Sequence, residues 1–378
     1  MLQILKIALR LILKSKVLHP AQAKNSKGME APPRILVTGS AGFIGHHLVM
    51  ALQRHASFVM GLDNLNSYYD PELKYKRLAQ QGFSREEISQ GTPAQSIKSP
   101  NLYFTRLDIA DAPALQQLFE VHRFDVVINL AAQAGVRHSL DHPEEYVTSN
   151  LVGFANVLEC CRRHQVKHLL FASSSSVYGL NEQTPFSTSH RTDAPVSFYA
   201  ATKKANEVMA HSYAHLYGIP TTGLRFFTVY GPWGRPDMAY YSFAQAIMAD
   251  KPIRIFNHGD MLRDFTYVDD VVEGIVKLLE VKPEPAPVPY KLYNIGHNKP
   301  EQLLEMVAIL ERLLQRKASL DLQPMQPGDV QTTYAEVEEL ARVTGFRPHT
   351  TLAQGLQQFV AWFKAYHQVQ EVPQLVVQ

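Results

Sequence analysis

From residue 34 onward, short apolar runs alternate with longer stretches that carry polar residues at helical spacing. The runs lie at residues 34–38, 58–63, 126–130, 169–173 and 221–225. Short buried runs separated by helical stretches predict βα units, in which a parallel sheet is covered by helices on both faces. The predicted fold is therefore a doubly wound α/β fold, followed by a smaller C-terminal α/β lobe.

The first apolar run leads directly into a glycine-rich turn. Gly39, Gly42 and Gly45 have the spacing Gly-x-x-Gly-x-x-Gly, and the second predicted strand ends at Asp63, 18 residues beyond Gly45. Because glycine has no Cβ, a pyrophosphate can approach the backbone at the helix N-terminus, where free N–H groups and the helix dipole favour anions. A carboxylate at the position of Asp63 accepts both hydroxyls of an adenosine ribose and repels a 2′-phosphate. The sequence therefore predicts a Rossmann-type domain that binds NAD rather than NADP.

A tyrosine and a lysine stand four residues apart downstream of a serine cluster. On a helix, Tyr199 and Lys203 lie on the same face, so that the ammonium group favours the phenolate. The tyrosine pKa, ordinarily about 10, would then fall, and the phenolate could take a proton from a sugar hydroxyl while a hydride leaves the same carbon. Taken alone, the pair also fits a solvated helical face. Its combination with residues 173–176 and the glycine turn favours catalysis.

Longer strings resemble the extended short-chain dehydrogenase/reductase family, and within it the NAD-dependent nucleotide-sugar epimerases. The resemblance covers about residues 34–366 and is carried by residues 38–45, 63–64, 108–109, 129–132, 173–179, 199–203 and 263–265. Two further strings, residues 227–239 and 325–330, resemble those of UDP-glucuronate 4-epimerases. The resemblance implies an NAD-dependent isomerase that interconverts UDP-glucuronate and UDP-galacturonate through a transient 4-keto intermediate.

The resemblance also implies a role for each matching residue. The catalytic group would be Tyr199 as the base, Lys203 as its electrostatic partner and Ser174 as the substrate-binding hydroxyl. The implied cofactor-binding residues are Gly39, Gly42, Phe43, Ile44, Gly45, Asp63, Asn64, Asp108, Ile109, Leu130, Ala131, Ala132, Asn150, Tyr199 and Lys203. The implied substrate-binding residues are Ser174, Ser175, Ser176, Tyr199, Thr228, Arg235, Arg263 and Asp329.

Alternatives remain open within this interpretation. UDP-glucose 4-epimerase uses the same chemistry on a neutral sugar, a uronate decarboxylase shares the keto acid, and a catalytically silent Rossmann protein would only bind NAD. The serine run at 174–176 replaces the Thr-Asp-Glu run of some family members, which argues against dehydration. A guanidinium holds a carboxylate through two charge-assisted hydrogen bonds, so Arg235 favours a uronate. Arg235 could instead only pair with Asp237.

Composition and charge narrow the function classes. The chain has 378 residues, of which 46% are hydrophobic and 19% charged, enough for a full core in two regions. The net charge of +2 divides into +6 on residues 1–34 and −4 on the remainder, so that no nucleic-acid groove is expected. The only cysteines, Cys160 and Cys161, are adjacent and predict helix packing in a reducing, cytoplasmic compartment. No histidine is expected to bind a metal.

The N-terminus predicts a separate amphipathic helix. Lys6, Arg10 and Lys14 recur every four residues among apolar positions within residues 1–18. Such a helix can lie on an anionic membrane at the inner face, although the segment could also be a leader that precedes Met29 as the true start.

The predicted domains are a basic extension (1–33), an NAD-binding domain (34–227, with returning segments near 261–279 and 290–296) and a UDP-sugar-binding lobe (228–370). Residues 68–99 predict a helical excursion over the cofactor. Its Tyr68, Tyr69 and Lys74 could close on the substrate, although solvent-exposed packing of these side chains is favoured. The expected partners are a UDP-sugar substrate and a second copy of the chain. The product would supply a surface polysaccharide.

Overall fold

The apolar runs form the strands of a large sheet. The computed structural model describes residues 31–325 and 330–369. The strands within these ranges are β1 (Arg34–Thr38), β2 (Phe58–Asp63), β3 (Ala94–Gln95), β4 (Leu102–Arg106), β5 (Val126–Asn129), β6 (His168–Ser174), β7 (Thr221–Phe226), β8 (Thr228–Tyr230), β9 (Ile253–Ile255), β10 (Leu262–Tyr267), β11 (Tyr290–Ile295), β12 (Pro300–Gln302), β13 (Leu320–Leu322) and β14 (Thr332–Thr333).

The large sheet has the order β11-β7-β6-β5-β1-β2-β4-β3. Its strands run parallel, except that the short β3 is antiparallel to β4 at the edge. The strand order reverses on either side of β1, as in a doubly wound fold, and this point lies next to the glycine turn. The predicted α/β fold class is confirmed.

Helices connect these strands and cover both faces of the sheet. They are α1 (Phe43–Leu52), α2 (Pro71–Gln81), α3 (Arg85–Ser89), α4 (Ala112–His122), α5 (His138–Asp141), α6 (Pro143–Tyr146), α7 (Phe154–Arg163), α8 (Phe198–Tyr217), α9 (Ala239–Met248), α10 (Val268–Leu278), α11 (Leu303–Leu314), α12 (Glu338–Thr344) and α13 (Leu352–Tyr366). A π-helical stretch, Val147–Gly153, precedes α7, and a 3₁₀ turn, Ser175–Tyr178, follows β6.

The long helix α8 has clear local start and stop signals. The Ser197 side chain accepts a hydrogen bond from the Ala200 N–H at 3.1 Å, which caps the first turn. Gly218 ends the helix with φ of +67°, a left-handed conformation that glycine adopts without steric cost. The helix therefore begins just before Tyr199, which fixes where the tyrosine and Lys203 lie along it.

Neighbouring residues of β1 enter opposite apolar layers. Ile35 and Val37 belong to one buried cluster and Leu36 to another, as expected for a strand that is buried on both faces. Cys160 and Cys161 are buried free thiols in the second layer. The two layers bury the sheet completely and leave its strand ends as the accessible edge.

Of the two segments predicted to return to the large sheet, one supplies a strand to it and the other supplies a strand to a second sheet. Residues 290–295 form β11, which pairs parallel with β7. Residues 262–267 form β10, which pairs with β8, β12 and β14 in a second sheet, so this strand was wrongly placed by the sequence interpretation. The edge beside β7 is already occupied by β11. β10 therefore pairs with β8, the strand that begins directly after Phe227. Only α10 of the 261–279 segment covers the large sheet, by packing against α1.

The lobe after β7 contains the second sheet, the β9 and β13 pair, and helices α9, α11 and α13. One buried apolar cluster includes both Ile35 of β1 and Leu310 of α11, so the lobe shares its core with the large sheet. The domain boundary at 227/228 stays a prediction. Within the described residues, no helix has both the length and the hydropathy needed to span a bilayer. The cationic stripe of residues 6–14 lies outside the described residues.

A buried ion pair fixes α8 against the sheet. The Arg225 Nε and Nη2 atoms donate to the two carboxylate oxygens of Glu207 at 2.8 and 2.9 Å, and the two side chains are only 2% and 3% exposed. The Ser173 hydroxyl donates to the same carboxylate at 2.7 Å. The carboxylate thereby joins β6, β7 and α8 just below the segment that carries Tyr199 and Lys203.

Candidate active site

A cavity of about 1000 Å³ opens at the carboxyl ends of the parallel strands. This is the edge at which doubly wound sheets bind ligands. The predicted site residues that line it are Gly39, Gly42, Phe43, Ile44, Gly45, Asp63, Asn64, Asp108, Ile109, Leu130, Ala131, Ala132, Ser174, Ser175, Ser176, Tyr199, Lys203, Thr228, Arg235 and Arg263.

The glycine turn is too tight for side chains. Gly39 has φ of +72°, and a Cβ there would lie 2.8 Å from the Ala131 nitrogen. A Cβ on Gly45 would lie 2.1 Å from the Gly39 carbonyl oxygen. Helix α1 begins after Gly42, which offers no side chain to cap its first N–H groups. A helix N-terminus of this kind fits the pyrophosphate of a dinucleotide.

Asp63 is held rigidly beside the glycine turn. Its two carboxylate oxygens accept hydrogen bonds from the Ala41 N–H at 3.2 Å and the Leu65 N–H at 2.8 Å. The Lys74 ammonium lies 3.5 Å from the carboxylate and donates to Asn66 Oδ1 at 2.9 Å. The expectation that Lys74 is exposed was wrong, because α2 turns it inward, where it is 5% exposed. Lys74 orients the acid at the end of β2.

Tyr199 is half-buried and lines the cavity together with Ser174 and Arg235. Burial raises the pKa of Tyr199, whereas its hydrogen bond with Ser174 and the positive charge of Arg235 lower it. Lys203 donates to the Ala172 carbonyl at 3.0 Å, and burial lowers the pKa of Lys203 to about 8. The Lys203 ammonium is thus held against β6, and its role as the electrostatic partner of Tyr199 stays a prediction, whereas the positive charge of Arg235 also favours the phenolate.

Arg235 lies in the loop between β8 and α9 and is paired with Asp237. Its Nε and Nη2 atoms donate to the Asp237 carboxylate oxygens at 3.0 and 2.5 Å. Burial opposes its charge, but Asp237 holds the pKa of Arg235 above its ordinary value. The Tyr68 hydroxyl donates to Asp237 at 3.2 Å, and burial, followed by the Asp237 charge, raises the pKa of Tyr68 to about 12. All three side chains line the cavity.

The sequence also matches a known protein family. A sequence model of the NAD dependent epimerase/dehydratase family matches residues 35–296. The chain belongs to this family. The resemblance and the cofactor predicted from the sequence, NAD, are thereby confirmed, and this family member is an epimerase-type enzyme.

Curated relatives cover nearly the same residues. The chain is 47% identical over 347 residues to the Protein CapI of Staphylococcus aureus, covering 88% of this chain and 99% of the relative. It is 44% identical over 346 residues to the UDP-glucuronate 4-epimerase 3 of Arabidopsis thaliana, covering 88% of this chain and 77% of that protein.

A solved structure is also similar to this family member. The UDP-glucuronic acid 4-epimerase from Bacillus cereus, in complex with UDP-glucuronic acid and NAD, superimposes with a TM-score of 0.76. That protein is 32% identical and covers 88% of this chain and 99% of its own.

One predicted site residue of this family member, Asn150, is absent from the cavity lining, and for another the lining is not described. Asp329 lies outside the described residues. Asn150 is 1% exposed, and its amide accepts from the Gln133 N–H at 2.8 Å and donates to the Gln133 carbonyl and to Thr202 Oγ1, each at 3.0 Å. Because Asn150 is used in these bonds, it supports the cavity wall at Gln133 instead of lining it.

Arg263, predicted to meet the UDP phosphates, lies on β10 at the lobe side of the cavity. Its Nη1 atom donates to the Leu262 and Gln331 carbonyls, each at 2.9 Å. Thr228 opens β8 on the same side. The substrate residues from the lobe thus face the cofactor residues from the large sheet across one cavity.

The sequence interpretation missed two residues that support the site. Ser139 accepts a hydrogen bond from the Tyr199 N–H at 3.1 Å, and it donates to the Val136 carbonyl at 2.6 Å. Arg77 is fully buried and donates to the Ala41 carbonyl at 2.9 Å and the Trp233 carbonyl at 2.6 Å. It therefore joins the glycine turn to the loop that carries Arg235. Both contacts form between distant segments, so no local motif announces them.

The structure also brings together two histidines and an acid that the sequence interpretation did not single out, while the expectation that no histidine binds a metal stays a prediction. Ligand-capable atoms of His138, His142 and Glu145 lie within 4.8 Å of one another. The spacing His-x-x-x-His-x-x-Glu was readable in the sequence, because residues four apart on a helix share one face.

Proposed function

We propose that this chain epimerises C4 of a UDP-linked uronic acid and interconverts UDP-glucuronate and UDP-galacturonate. The observation that carries the proposal is that Ser174, Tyr199 and Arg235 line one cavity beside the glycine turn. The named UDP-glucuronate 4-epimerases among the relatives and solved structures support it. A silent NAD-binding protein has no use for a tyrosine that shares one cavity with a serine hydroxyl and a guanidinium.

The chain's own residues move one proton in each half of the turnover. NAD, when bound, supplies a hydride acceptor at C4 and returns the hydride within the same turnover. Tyr199 takes the O4 proton as the C4–H bond breaks, which leaves a 4-keto sugar. Ser174 holds the same oxygen through its hydroxyl. After the keto sugar presents its other face, Tyr199 returns the proton to O4, so no external reductant is consumed.

The carboxylate of a uronic acid needs its own support. The keto intermediate is a β-keto acid, which can lose carbon dioxide when its carboxylate is free to align with the carbonyl. Arg235 would hold the carboxylate through two charge-assisted hydrogen bonds, assisted by Thr228, Ser175 and Ser176. Binding requires the guanidinium to exchange or share its pairing with Asp237, whose carboxylate lies at 2.5 and 3.0 Å.

Arg235→Ala is expected to separate the candidate substrates. A guanidinium gains little from a neutral hydroxymethyl group, so kcat/KM for UDP-glucuronate should fall about tenfold or more, whereas that for UDP-glucose changes less. Some of the keto acid should appear as a UDP-pentose. The measurement is product separation by chromatography with both sugars over a range of concentrations.

Asp237→Asn is the matched control for this experiment. It removes the carboxylate that competes for the guanidinium but leaves Arg235 in place, so binding of UDP-glucuronate should be retained or tightened. If both variants lose activity on both sugars in equal proportion and no pentose forms, Arg235 is a structural residue. The UDP-glucose 4-epimerase alternative would then be as well supported as the UDP-glucuronate assignment. Pentose formation by the parent enzyme would instead favour a uronate decarboxylase.

Three finer expectations belong to the same proposal. These are the supply of a surface polysaccharide, assembly as a homodimer, and a cytoplasmic enzyme that contacts the inner face of the membrane. The exposed apolar side chains of Val208 and Leu216 on α8 are consistent with a second copy that covers them.

Deletion of residues 1–28 tests the membrane contact. The truncated protein should keep its turnover, because every described residue that lines the cavity comes after residue 38. It should lose cosedimentation with anionic lipid vesicles at low salt, since the cationic stripe at residues 6–14 is removed. Vesicles of neutral lipid are the control. A full-length protein that never sediments with anionic vesicles would exclude the contact.

A further inference from the structure

Two histidines and a glutamate come together at the rim of the cavity. His138 lies on α5 and Glu145 on α6, with His142 at the junction between these helices. The His138 Nε2 atom lies 3.0 Å from Glu145 Oε2, and the ligand-capable atoms of all three residues lie within 4.8 Å of one another. His138 lines the cavity itself. The cluster is therefore next to the substrate space but separate from the residues assigned to the reaction.

The backbone fixes the spacing of the two imidazoles. The His142 N–H donates to the His138 carbonyl at 3.0 Å, which closes one helical turn. The two ring centroids are 4.4 Å apart as a result. Pro143 starts α6 immediately afterwards, and Glu145 lies in its first turn. All three ligands come from residues 138–145, so their arrangement depends on local structure.

The donor set suits a transition metal ion. Two imidazoles and one carboxylate are typical of zinc sites that keep a further position open. With metal–ligand distances of about 2.1 Å, neighbouring ligand atoms of a tetrahedral site lie about 3.4 Å apart. The side chains of His142 and Glu145 are 49% and 45% exposed. Rotation of these groups can therefore bring the ligand atoms, now within 4.8 Å of one another, to the tetrahedral spacing without moving the core. The Glu144 carboxylate, 3.7 Å from His142 Nδ1, adds negative charge that favours a cation.

We propose that His138, His142 and Glu145 form a binding site for a divalent transition metal ion of the zinc type. Ser139 lies between the first two ligands and accepts the hydrogen bond from the Tyr199 N–H at 3.1 Å. The His138 ring packs edge-on against Tyr68, with centroids 4.8 Å apart. The metal site thus adjoins both the start of the catalytic helix and the residues that hold Arg235. It does not depend on which sugar the enzyme accepts.

The test measures metal binding directly. Full-length protein without a histidine tag is treated with a chelator, dialysed and titrated with ZnCl₂ by isothermal calorimetry. The parent should bind one equivalent that is lost in His142→Ala. Loss of a residue that only hydrogen-bonds to a metal ligand costs about 10- to 100-fold in affinity, so loss of a direct ligand should cost about a hundredfold or more. Co²⁺ should give visible absorption bands of nitrogen and oxygen ligation, which also disappear in the variant.

Glu145→Gln and Glu144→Gln form a matched pair on the same helix. The first removes a ligand and should weaken Zn²⁺ binding, whereas the second keeps all three ligands and should stay within a few-fold of the parent. Circular dichroism verifies that each variant is folded. If His142→Ala does not fold, Glu145→Gln alone tests the loss of a ligand. The proposal is overturned if the folded ligand variants bind Zn²⁺ as tightly as the parent, or if the parent shows no saturable binding.

Discussion

Replacement of Tyr199 by phenylalanine is expected to lower kcat by about a hundred- to ten-thousandfold while NAD stays bound. The change removes only the phenolic oxygen, so the ring keeps its place in the cavity wall, its edge contact with Tyr146 and the cap of α8. The proton at O4 then has no acceptor, because Ser174 is a far weaker base. The measurement is the rate of UDP-galacturonate formation from UDP-glucuronate, together with the NAD content of the purified variant.

Tyr213→Phe is the control on the same helix. Tyr213 lies on α8, and its ring packs against Tyr217 rather than lining the cavity. Turnover by Tyr213→Phe should match that of the parent enzyme. Undiminished epimerisation by Tyr199→Phe would remove Tyr199 from the mechanism, and loss of NAD together with activity would show that the substitution damages the cofactor site.

Glu207→Gln is expected to have the largest effect on stability. It leaves the Arg225 guanidinium, which is 2% exposed, without a countercharge in the core. Breaking a buried pair in this way costs about 3–5 kcal/mol. The Ser173 hydroxyl, which donates to the carboxylate at 2.7 Å, must then donate to a neutral amide oxygen, which is a weaker acceptor. The measurement is the free energy of unfolding in urea, with NAD at the same saturating concentration for every variant.

Glu273→Gln makes the same chemical change in an exposed pair. Glu273 lies 3.5 Å from Lys277 one helical turn away, and these side chains are 44% and 40% exposed. Its loss should cost less than about 1 kcal/mol, because solvent screens such pairs. Equal losses in the two variants would contradict the structural role given to the buried pair.

Much of the fold was predictable because its signals are local. Each apolar run forms a strand through side chains that are adjacent in sequence, and the glycine turn follows β1 within a few residues. The strand ends of a parallel sheet meet at one edge, and residues after β1, β2, β5 and β6 line the cavity there. β10 was misplaced because its partner was decided by which sheet edge remained free, and a sequence pattern does not contain that information.

Within the site, the sequence determined which chemical groups are present, and the tertiary structure decided how they are paired. The helical spacing placed Lys203 on the same face as Tyr199, and packing against β6 directs its ammonium to the Ala172 carbonyl. The positive charge of Arg235, which comes from a separate loop, also acts on the phenol.

The supporting contacts depend even more on packing. The bond between Ser139 and Tyr199 and the links from Arg77 join residues that are 60 and 156 positions apart. By itself, the sequence determined the family, the cofactor and the candidate base, because these depend on short strings of residues. Only the fold decided that the charge of Arg235 acts on the tyrosine, that Tyr68 donates to Asp237, and that two histidines and a glutamate meet at the cavity rim, because these depend on the distances between side chains.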